Sequence, residues 1–164
     1  MKTIWAPWRM DYILSPKEPV CLFCKLPAEN RDRDNLILYR TSLTYVIMNR
    51  YPYNNGHLMV IPYHHTSSLE GLSREALAEM MEATRFAIDR LSAAFRPEGF
   101  NAGFNIGKVA GAGIEEHIHI HIVPRWAGDA SFITVLGEVK VIPEHILQTY
   151  DKLYPVFNEA GGRK

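Results

Sequence analysis

The chain has 164 residues and a mass of 18.7 kDa, which suits one domain that buries about 70% of its unfolded surface. Its 18 basic and 18 acidic residues balance, and this neutral charge argues against a nucleic-acid-binding protein, which needs a basic surface. The longest apolar stretch, residues 58–63, is too short to span a membrane, and no signal-peptide pattern opens the sequence. We therefore expect a cytoplasmic protein without nucleic-acid or membrane partners.

The first 33 residues differ in composition from the rest of the chain. Four prolines exclude a long helix there, so residues 1–33 are predicted to form an irregular arm that packs on a single domain of residues 34–164. The arm carries both cysteines of the chain, Cys21 and Cys24. In a reducing compartment, a Cys-x-x-Cys pair indicates a metal or redox role more than a structural disulfide.

Strand and helix patterns alternate through the remainder of the chain. Ser73 is a predicted N-cap for one long amphipathic helix that ends near Phe95, and a second helix is predicted over residues 143–154 with Pro143 in its first turn. Together these elements predict an α+β domain. The predicted strands are residues 36–40, 44–49, 57–61, 100–106 and 115–123, with Pro124 ending the last of them, and a short β-rich piece follows at residues 132–136.

The most informative segment alternates histidine with isoleucine over residues 117–122. Because side chains alternate across a strand, His117, His119 and His121 are predicted to share one face at intervals of about 6.6–6.8 Å, with the isoleucines in the core. Two readings of the three imidazoles stay open. They can chelate a catalytic zinc ion, or one of them can act as a nucleophile that its neighbours orient.

A glycine-rich loop lies just upstream, over residues 107–113. Gly107 and Gly113 bound a segment whose backbone N–H groups can turn inward to hold phosphates, with Lys108 beside them. A glycine-rich loop is weak evidence alone, since a flexible turn has the same composition. Beside three histidines on one strand, it favours phosphorus chemistry.

These motifs together resemble those of a known family. Residues 117–123 read His-Ile-His-Ile-His-Ile-Val, which matches the His-φ-His-φ-His-φ-φ signature of the histidine-triad (HIT) superfamily, where φ is an apolar residue. Residues 46–50, 55–62 and 123–129 also resemble family segments. The chain is most similar to the bacterial branch that includes fragile-histidine-triad proteins and diadenosine tetraphosphate phosphorylases. The resemblance implies a five-stranded antiparallel sheet with one long and one C-terminal helix, a homodimer, and a purine nucleotide or dinucleotide ligand.

The same resemblance assigns roles to individual residues. His119 is the expected nucleophile on the α-phosphorus of a dinucleoside polyphosphate, and His121 is expected to contact the phosphate oxygens. His57 should join the histidine network behind them. Asn49 occupies the position that hydrogen-bonds the ribose, and Asn105 begins the loop that lines the phosphates. If orthophosphate accepts the nucleotidyl group the enzyme is a phosphorylase, and if water accepts it the enzyme is a hydrolase.

The sequence departs from the hydrolase pattern at one position. Hydrolases of the fragile-histidine-triad type have Gln four residues before the first histidine of the triad, where this chain has Gly113. The loop that follows Asn105 also has one more residue than in those hydrolases. A roomier pocket lined by backbone can admit phosphate as the acceptor, so the sequence favours a phosphorylase.

A structural zinc site is the second implication of the resemblance. Some bacterial members, and the similar galactose-1-phosphate uridylyltransferases, complete a Cys-x-x-Cys pair with two histidines. The corresponding residues here are Cys21, Cys24, His65 and His117. Such a Cys₂His₂ site is closed and structural, which argues against a catalytic metal. We expect no organic cofactor.

Two rival functions remain at this point. The first is a purine nucleoside phosphoramidase, but its amine leaving group needs a proton donor before the triad, and Glu115 and Glu116 match that role poorly. The second is a nucleotide-binding interaction module with vestigial activity. An intact triad argues against such a module.

Overall fold

A five-stranded antiparallel sheet in the order β1-β2-β3-β5-β4 forms the centre of the fold. The computed structural model describes residues 20–129 and 142–159. The architecture confirms the predicted α+β class and the five-stranded antiparallel sheet. Within the described residues the strands are β1 (Ile37–Arg40), β2 (Thr44–Met48), β3 (Leu58–Pro62), β4 (Gly99–Phe104) and β5 (Ile120–Arg125), and the helices are α1 (Leu22–Ala28), α2 (Asp32–Asn35), α3 (Arg74–Phe95) and α4 (Ile146–Asn158).

The two faces of the sheet differ in what they carry. Strand β5 pairs with β3 so that Ile122 is opposite Leu58 and His121 is opposite Met59. Since paired residues of antiparallel strands lie on the same face, Ile122 and Leu58 occupy one face, and His121 and Met59 occupy the other. All three isoleucines of the histidine segment are buried, as the alternation predicts: Ile118, Ile120 and Ile122.

The long helix α3 packs across β2, β3 and β5. Its N-cap is Ser73, as predicted, and the hydroxyl oxygen accepts a hydrogen bond from the backbone N–H of Ala76 over 3.1 Å. Met80 and Leu91 are buried on the apolar stripe. Met81 is 60% exposed, because it lies one residue beyond the buried Met80 and so points away from the sheet.

The last strand begins and ends later than predicted. The sequence predicts a strand over residues 115–123 that Pro124 ends, but β5 runs from Ile120 to Arg125. Residues 115–119 have no strand partner, and the N–H of Ile118 bonds instead to the carbonyl oxygen of Thr66. Pro124 has no N–H to donate, but it lies beyond the last residue of β5 that pairs with β3. It pairs only with Phe100 of β4, so its edge toward β3 needs no N–H donor.

The chain ends also differ from prediction. Helix α4 begins at Ile146, not at Pro143, because His145 is the N-cap and its Nδ1 accepts the N–H of Leu147. The arm is irregular in prediction but helical over Leu22–Ala28, where Pro27 falls in the last turn.

The expected β piece at residues 132–136 lies outside the described residues, and the domain boundary at residue 33 stays a prediction. No helix in the described ranges has the length and apolarity to cross a membrane.

Candidate active site and metal centre

Two histidines from neighbouring strands form a hydrogen-bonded pair. His57 immediately precedes β3, and His121 lies in β5. The pairing of Met59 with His121 brings the two side chains together, and Nε2 of His57 lies 2.9 Å from Nδ1 of His121. His57 is buried and His121 is partly exposed. The structure thus brings together two residues that the sequence predicts for one histidine network.

The backbone N–H of Tyr53 determines which nitrogen of each ring carries the proton. It donates to Nδ1 of His57 over 3.0 Å, so the proton of a neutral His57 is on Nε2. That Nε2–H then donates to Nδ1 of His121, which leaves the His121 proton on Nε2. The side-chain amide nitrogen of Asn105 lies 3.5 Å from this Nε2, and since both nitrogens are donors in this tautomer, the contact is not a hydrogen bond. His121 thus presents an N–H donor, the group that binds a phosphate oxygen.

His119 has the opposite tautomer. Its Nδ1–H donates to the carbonyl oxygen of His117 over 2.8 Å, so Nε2 carries the lone pair. Within the described parts of the chain, no residue hydrogen-bonds to this Nε2. The ring packs between two others, with centroids 5.0 Å from that of Phe23 and 4.7 Å from that of His121. The hydrogen bond at Nδ1 therefore leaves the lone pair of a neutral His119 on Nε2.

Burial keeps both imidazoles neutral near pH 7. It lowers the pKa of His119, against the opposing effect of the hydrogen bond to the His117 carbonyl. Burial, with a smaller contribution from His119, lowers the pKa of His121 to about 4. A neutral His119 keeps its Nε2 lone pair available for attack, which a protonated ring would not.

Acid should destabilise the protein through His121. The unfolded imidazole has a pKa near 6.5 and the folded one a pKa of about 4, so the unfolded state takes up the proton first as the pH falls. The free energy of unfolding should fall between pH 6.5 and 4, by up to about 3 kcal/mol from this group. Urea unfolding of the wild type and of His121→Gln at pH 7 and pH 4.5 measures this loss. An equal loss in both proteins would contradict the assignment.

The predicted nucleotide contacts lie at both edges of the histidine pair. Nδ2 of Asn49 is 3.4 Å from Nδ1 of His57, and its Oδ1 accepts the N–H of Tyr51. Asn105 follows β4 and reaches His121. Asn49 and Asn105 are therefore brought to the histidines, where a ligand bound at His121 would lie within reach of both side chains.

The glycine-rich loop is built differently from the predicted phosphate cradle. The backbone N–H groups of Ala110, Gly111 and Ala112 bond to carbonyls inside the loop, so they do not turn toward a ligand. Gly107 and Gly111 have φ values of 83° and 86°, which glycine adopts without strain. Among the described residues, neither Lys108 nor Gly113 forms a hydrogen bond or ion pair with the histidines. The loop is exposed, and only some of its amides remain available to an anion.

The third histidine of the triad points to a different cluster. Cys21, Cys24, His65 and His117 each offer one ligand atom, and these atoms all lie within 4.8 Å of one another. Nδ1 of His117 is 3.4 Å from Sγ of Cys21 and 3.6 Å from Sγ of Cys24. Nδ1 of His65 is 3.4 Å from Sγ of Cys24. The four residues predicted as metal ligands are therefore brought together, and His117 does not join the nucleophile's network through its ring.

The surroundings of the cluster suit a metal ion. Nε2–H of His117 donates to the carbonyl oxygen of Pro62 over 2.8 Å, which turns the lone pair of Nδ1 toward the sulfurs, as in metal-bound histidines. Burial and the neighbouring Cys21 thiol raise the pKa of Cys24, so a cation is needed to hold two thiolates this close. Two sulfurs and two imidazole nitrogens are the donor set that tetrahedral zinc prefers.

Comparisons with known proteins identify the family of this chain. The HIT domain profile matches residues 30–128. This chain belongs to the HIT family. Over 158 residues it is 42% identical to a protein of Mycobacterium tuberculosis named AP-4-A phosphorylase, covering 91% of this chain and 80% of that one. It is 29% identical over 109 residues to the asymmetrical bis(5'-nucleosyl)-tetraphosphatase of Schizosaccharomyces pombe, covering 66% of this chain and 57% of that one.

Solved structures of HIT proteins share the fold. A zinc-bound histidine triad family protein from Mycobacterium smegmatis superimposes with a TM-score of 0.68 at 26% identity, covering 84% of this chain and 92% of that one. A histidine triad nucleotide-binding protein from Sulfolobus tokodaii gives a TM-score of 0.67 at 26% identity, covering 84% and 89% of the two chains. The first of these HIT proteins contains zinc, the metal that the cluster here suits.

Sequence reasoning missed two residues of this HIT domain. Tyr53 supplies the N–H that sets the tautomer of His57, and its ring stacks on the His57 ring with centroids 4.7 Å apart. Phe23 lies between the two cysteines and contacts the rings of both His117 and His119. Neither is a fixed residue of a motif that the sequence analysis used. The position of Phe23 inside Cys-x-x-Cys was the one available signal.

Proposed function

We propose that this protein is a dinucleoside polyphosphate phosphorylase that works through an adenylyl-His119 intermediate. The observation that carries the proposal is the His119 ring, whose Nδ1–H donates to a backbone carbonyl, which leaves the lone pair on Nε2, and whose centroid lies 4.7 Å from that of His121. The relative named AP-4-A phosphorylase, at 42% identity over most of both chains, supports the same activity.

The proposed reaction has two displacements at one phosphorus. Nε2 of His119 attacks the α-phosphorus of diadenosine tetraphosphate, the new P–N bond forms, and the P–O bond to ATP breaks. ATP leaves as an anion and needs no proton. An oxygen of orthophosphate then attacks the same phosphorus, the P–N bond breaks, and ADP leaves. The Nε2–H of His121 stabilises charge on the non-bridging oxygens in both steps.

We assign supporting roles to the asparagines and the loop. Asn49 would bind the ribose, since its side chain lies beside His57 and within reach of a nucleotide bound at His121. Asn105 would bind a phosphate oxygen from the other side. Lys108 is exposed in the loop that follows, where its charge would attract the polyphosphate chain. Gly107 and Gly113 would leave the loop backbone open to that chain.

Product analysis tests the proposed function. The protein should convert diadenosine tetraphosphate to ADP and ATP when orthophosphate is present, with little turnover when it is absent. AMP and ATP in both conditions would mean that water is the acceptor and would contradict a phosphorylase. No turnover in either condition would favour the phosphoramidase or the binding module. Hydrolysis of an adenosine phosphoramidate would then indicate a phosphoramidase, and no hydrolysis would indicate a binding module.

Replacement of Gly113 should change the acceptor. A Cβ built at Gly113 meets no atom within 4 Å and its φ is ordinary, so Gly113→Gln is sterically tolerated. The Gln amide can orient a water toward the adenylyl phosphorus, so the ratio of AMP to ADP should rise by about 10-fold. Gly99→Gln is the matched control, because its Cβ also meets open space, away from the histidines. Unchanged ratios in both variants would contradict a role for Gly113.

We further propose that the metal is zinc, that the protein forms a homodimer, and that it acts in the cytoplasm. The Cys₂His₂ donor set supports zinc. Strand β4 is an edge of the sheet, and its central residues Asn101, Ala102 and Gly103 are exposed, which leaves their backbone groups open to a second copy. Metal analysis and light scattering of the purified protein test the first two proposals.

A further inference from the structure

The His119 ring is buried and is oriented by polar and aromatic neighbours. A hydrogen bond from Nδ1–H to the carbonyl oxygen of His117 fixes the tautomer as long as the ring stays aligned with that oxygen. Two aromatic rings meet the imidazole edge to face. His121 makes an interplanar angle of 72° on one side, and Phe23 makes an angle of 71° on the other. His121 is itself part of the proposed chemistry, whereas Phe23 has no polar group and no other evident task.

Phe23 is buried, and the helix backbone that carries it is anchored by side chains of neighbouring strands. It is 3% exposed, and its carbonyl oxygen accepts a hydrogen bond from the buried hydroxyl of Tyr45 over 2.7 Å. Helix α1 is fixed again near its end, where Nη2 of Arg40 donates to the carbonyl oxygen of Pro27. The ring of Phe23 therefore has little freedom to follow His119 if that ring moves.

Helix α1, which carries Phe23, also carries the candidate ligand Cys24, and a second candidate ligand, Cys21, is its N-cap residue. Cys21 and Cys24 flank Phe23 in sequence, and both sulfurs face Nδ1 of His117. The centroid of the Phe23 ring lies 5.7 Å from that of His117 and 5.0 Å from that of His119. Helix α1 therefore contacts both His117, whose carbonyl oxygen fixes the tautomer of His119, and the ring of His119.

We infer that Phe23 is a positioning residue, which holds the His119 imidazole in line for attack on phosphorus, and that the Cys-x-x-Cys helix serves catalysis through it. The inference rests on the proposed function, in which His119 is the nucleophile. Phe23 would touch no reacting atom. Loss of its ring would let His119 tilt away from the His117 carbonyl, and a misplacement of about 1 Å lowers a rate by up to about 100-fold.

The test replaces Phe23 by an apolar side chain without a ring. Phe23→Leu, compared as folded, metal-loaded protein, should lower kcat and the rate of His119 adenylylation by at least about 10-fold, with KM within about threefold of the wild type. The matched control is Phe157→Leu, since Phe157 is also buried and also makes an edge-to-face ring contact, with Phe86, away from the site. The Phe157→Leu protein should be less stable than the wild type but keep its kcat.

A spectroscopic readout separates positioning from stability. Long-range ¹H–¹⁵N correlation spectra should show only the Nδ1–H tautomer of His119 in the wild type and in Phe157→Leu, and a mixture of tautomers in Phe23→Leu. If Phe23→Leu does not fold, Phe23→Met takes its place, because methionine fills irregular space without a ring. A kcat that falls no more than in Phe157→Leu, with a single tautomer, would overturn the inference. If the wild type forms no adduct, the proposed function fails and the tautomer spectra alone decide the positioning role.

Discussion

Replacement of His119 by alanine should lower the turnover of diadenosine tetraphosphate by at least about 10⁴-fold. The loss is this large because the variant has no atom to form the P–N bond, and the remaining donors can only bind the substrate. Adenylylation of the protein should disappear altogether. Turnover is measured by separating ADP, ATP and AMP after incubation with and without orthophosphate.

His64→Ala is a suitable control for this experiment. His64 is exposed and forms no described hydrogen bond or ion pair, so its loss should leave turnover within about twofold. His57→Gln provides a graded comparison, since it disturbs the tautomer of His121 but leaves the nucleophile in place. We expect a loss of about 10²-fold there. A His119→Ala protein with full turnover would remove the nucleophile assignment.

Removal of the metal should have the largest effect on stability. The four ligands connect helix α1, the segment after β3 and the residue two positions before His119, which are far apart in the sequence. Without the ion, the paired thiols, the exposed His65 and the buried His117 lose their common partner. We expect the free energy of unfolding to fall by about 4 kcal/mol and the melting temperature by about 10 °C.

Chelation and mutation should give the same result by different routes. A strong chelator should lower the melting temperature of the wild type, and Cys24→Ser should start at that lower temperature and not respond to the chelator. Zinc added back should restore the wild type alone. Native protein that contains no metal, and whose melting temperature is unchanged by the chelator, would contradict the metal site.

The histidine segment shows how far a local pattern reaches. The rings of His119 and His121 are in contact, although His119 lies just before β5. Alternation predicted the burial of the isoleucines, which face the core. It did not predict where β5 begins. That depends on the partner strand, which ends at Pro62, and on the use of His117 by the metal cluster. The pattern specifies a strand, and the neighbouring segments decide its length.

The glycine-rich loop and the aromatic contacts mark the limit of sequence reasoning. Glycine composition showed that the loop could turn its amides inward, but the observed hydrogen bonds use the amides of Ala110, Gly111 and Ala112 within the loop. Phe23 meets His119 across 96 positions of sequence, and no spacing rule predicts such a contact. The loop hydrogen bonds and the contact of Phe23 with His119 both depend on tertiary packing, so they are seen only in the folded structure.

Trapping of the adenylyl group tests the central claim most directly. The protein is mixed with diadenosine tetraphosphate in the absence of orthophosphate, and its intact mass and digested peptides are measured. The account predicts a mass increase of one adenylyl group, located on His119, and its release as ADP when orthophosphate is added. Turnover to ADP and ATP without any adduct on His119, or an adduct that orthophosphate does not discharge, would contradict it.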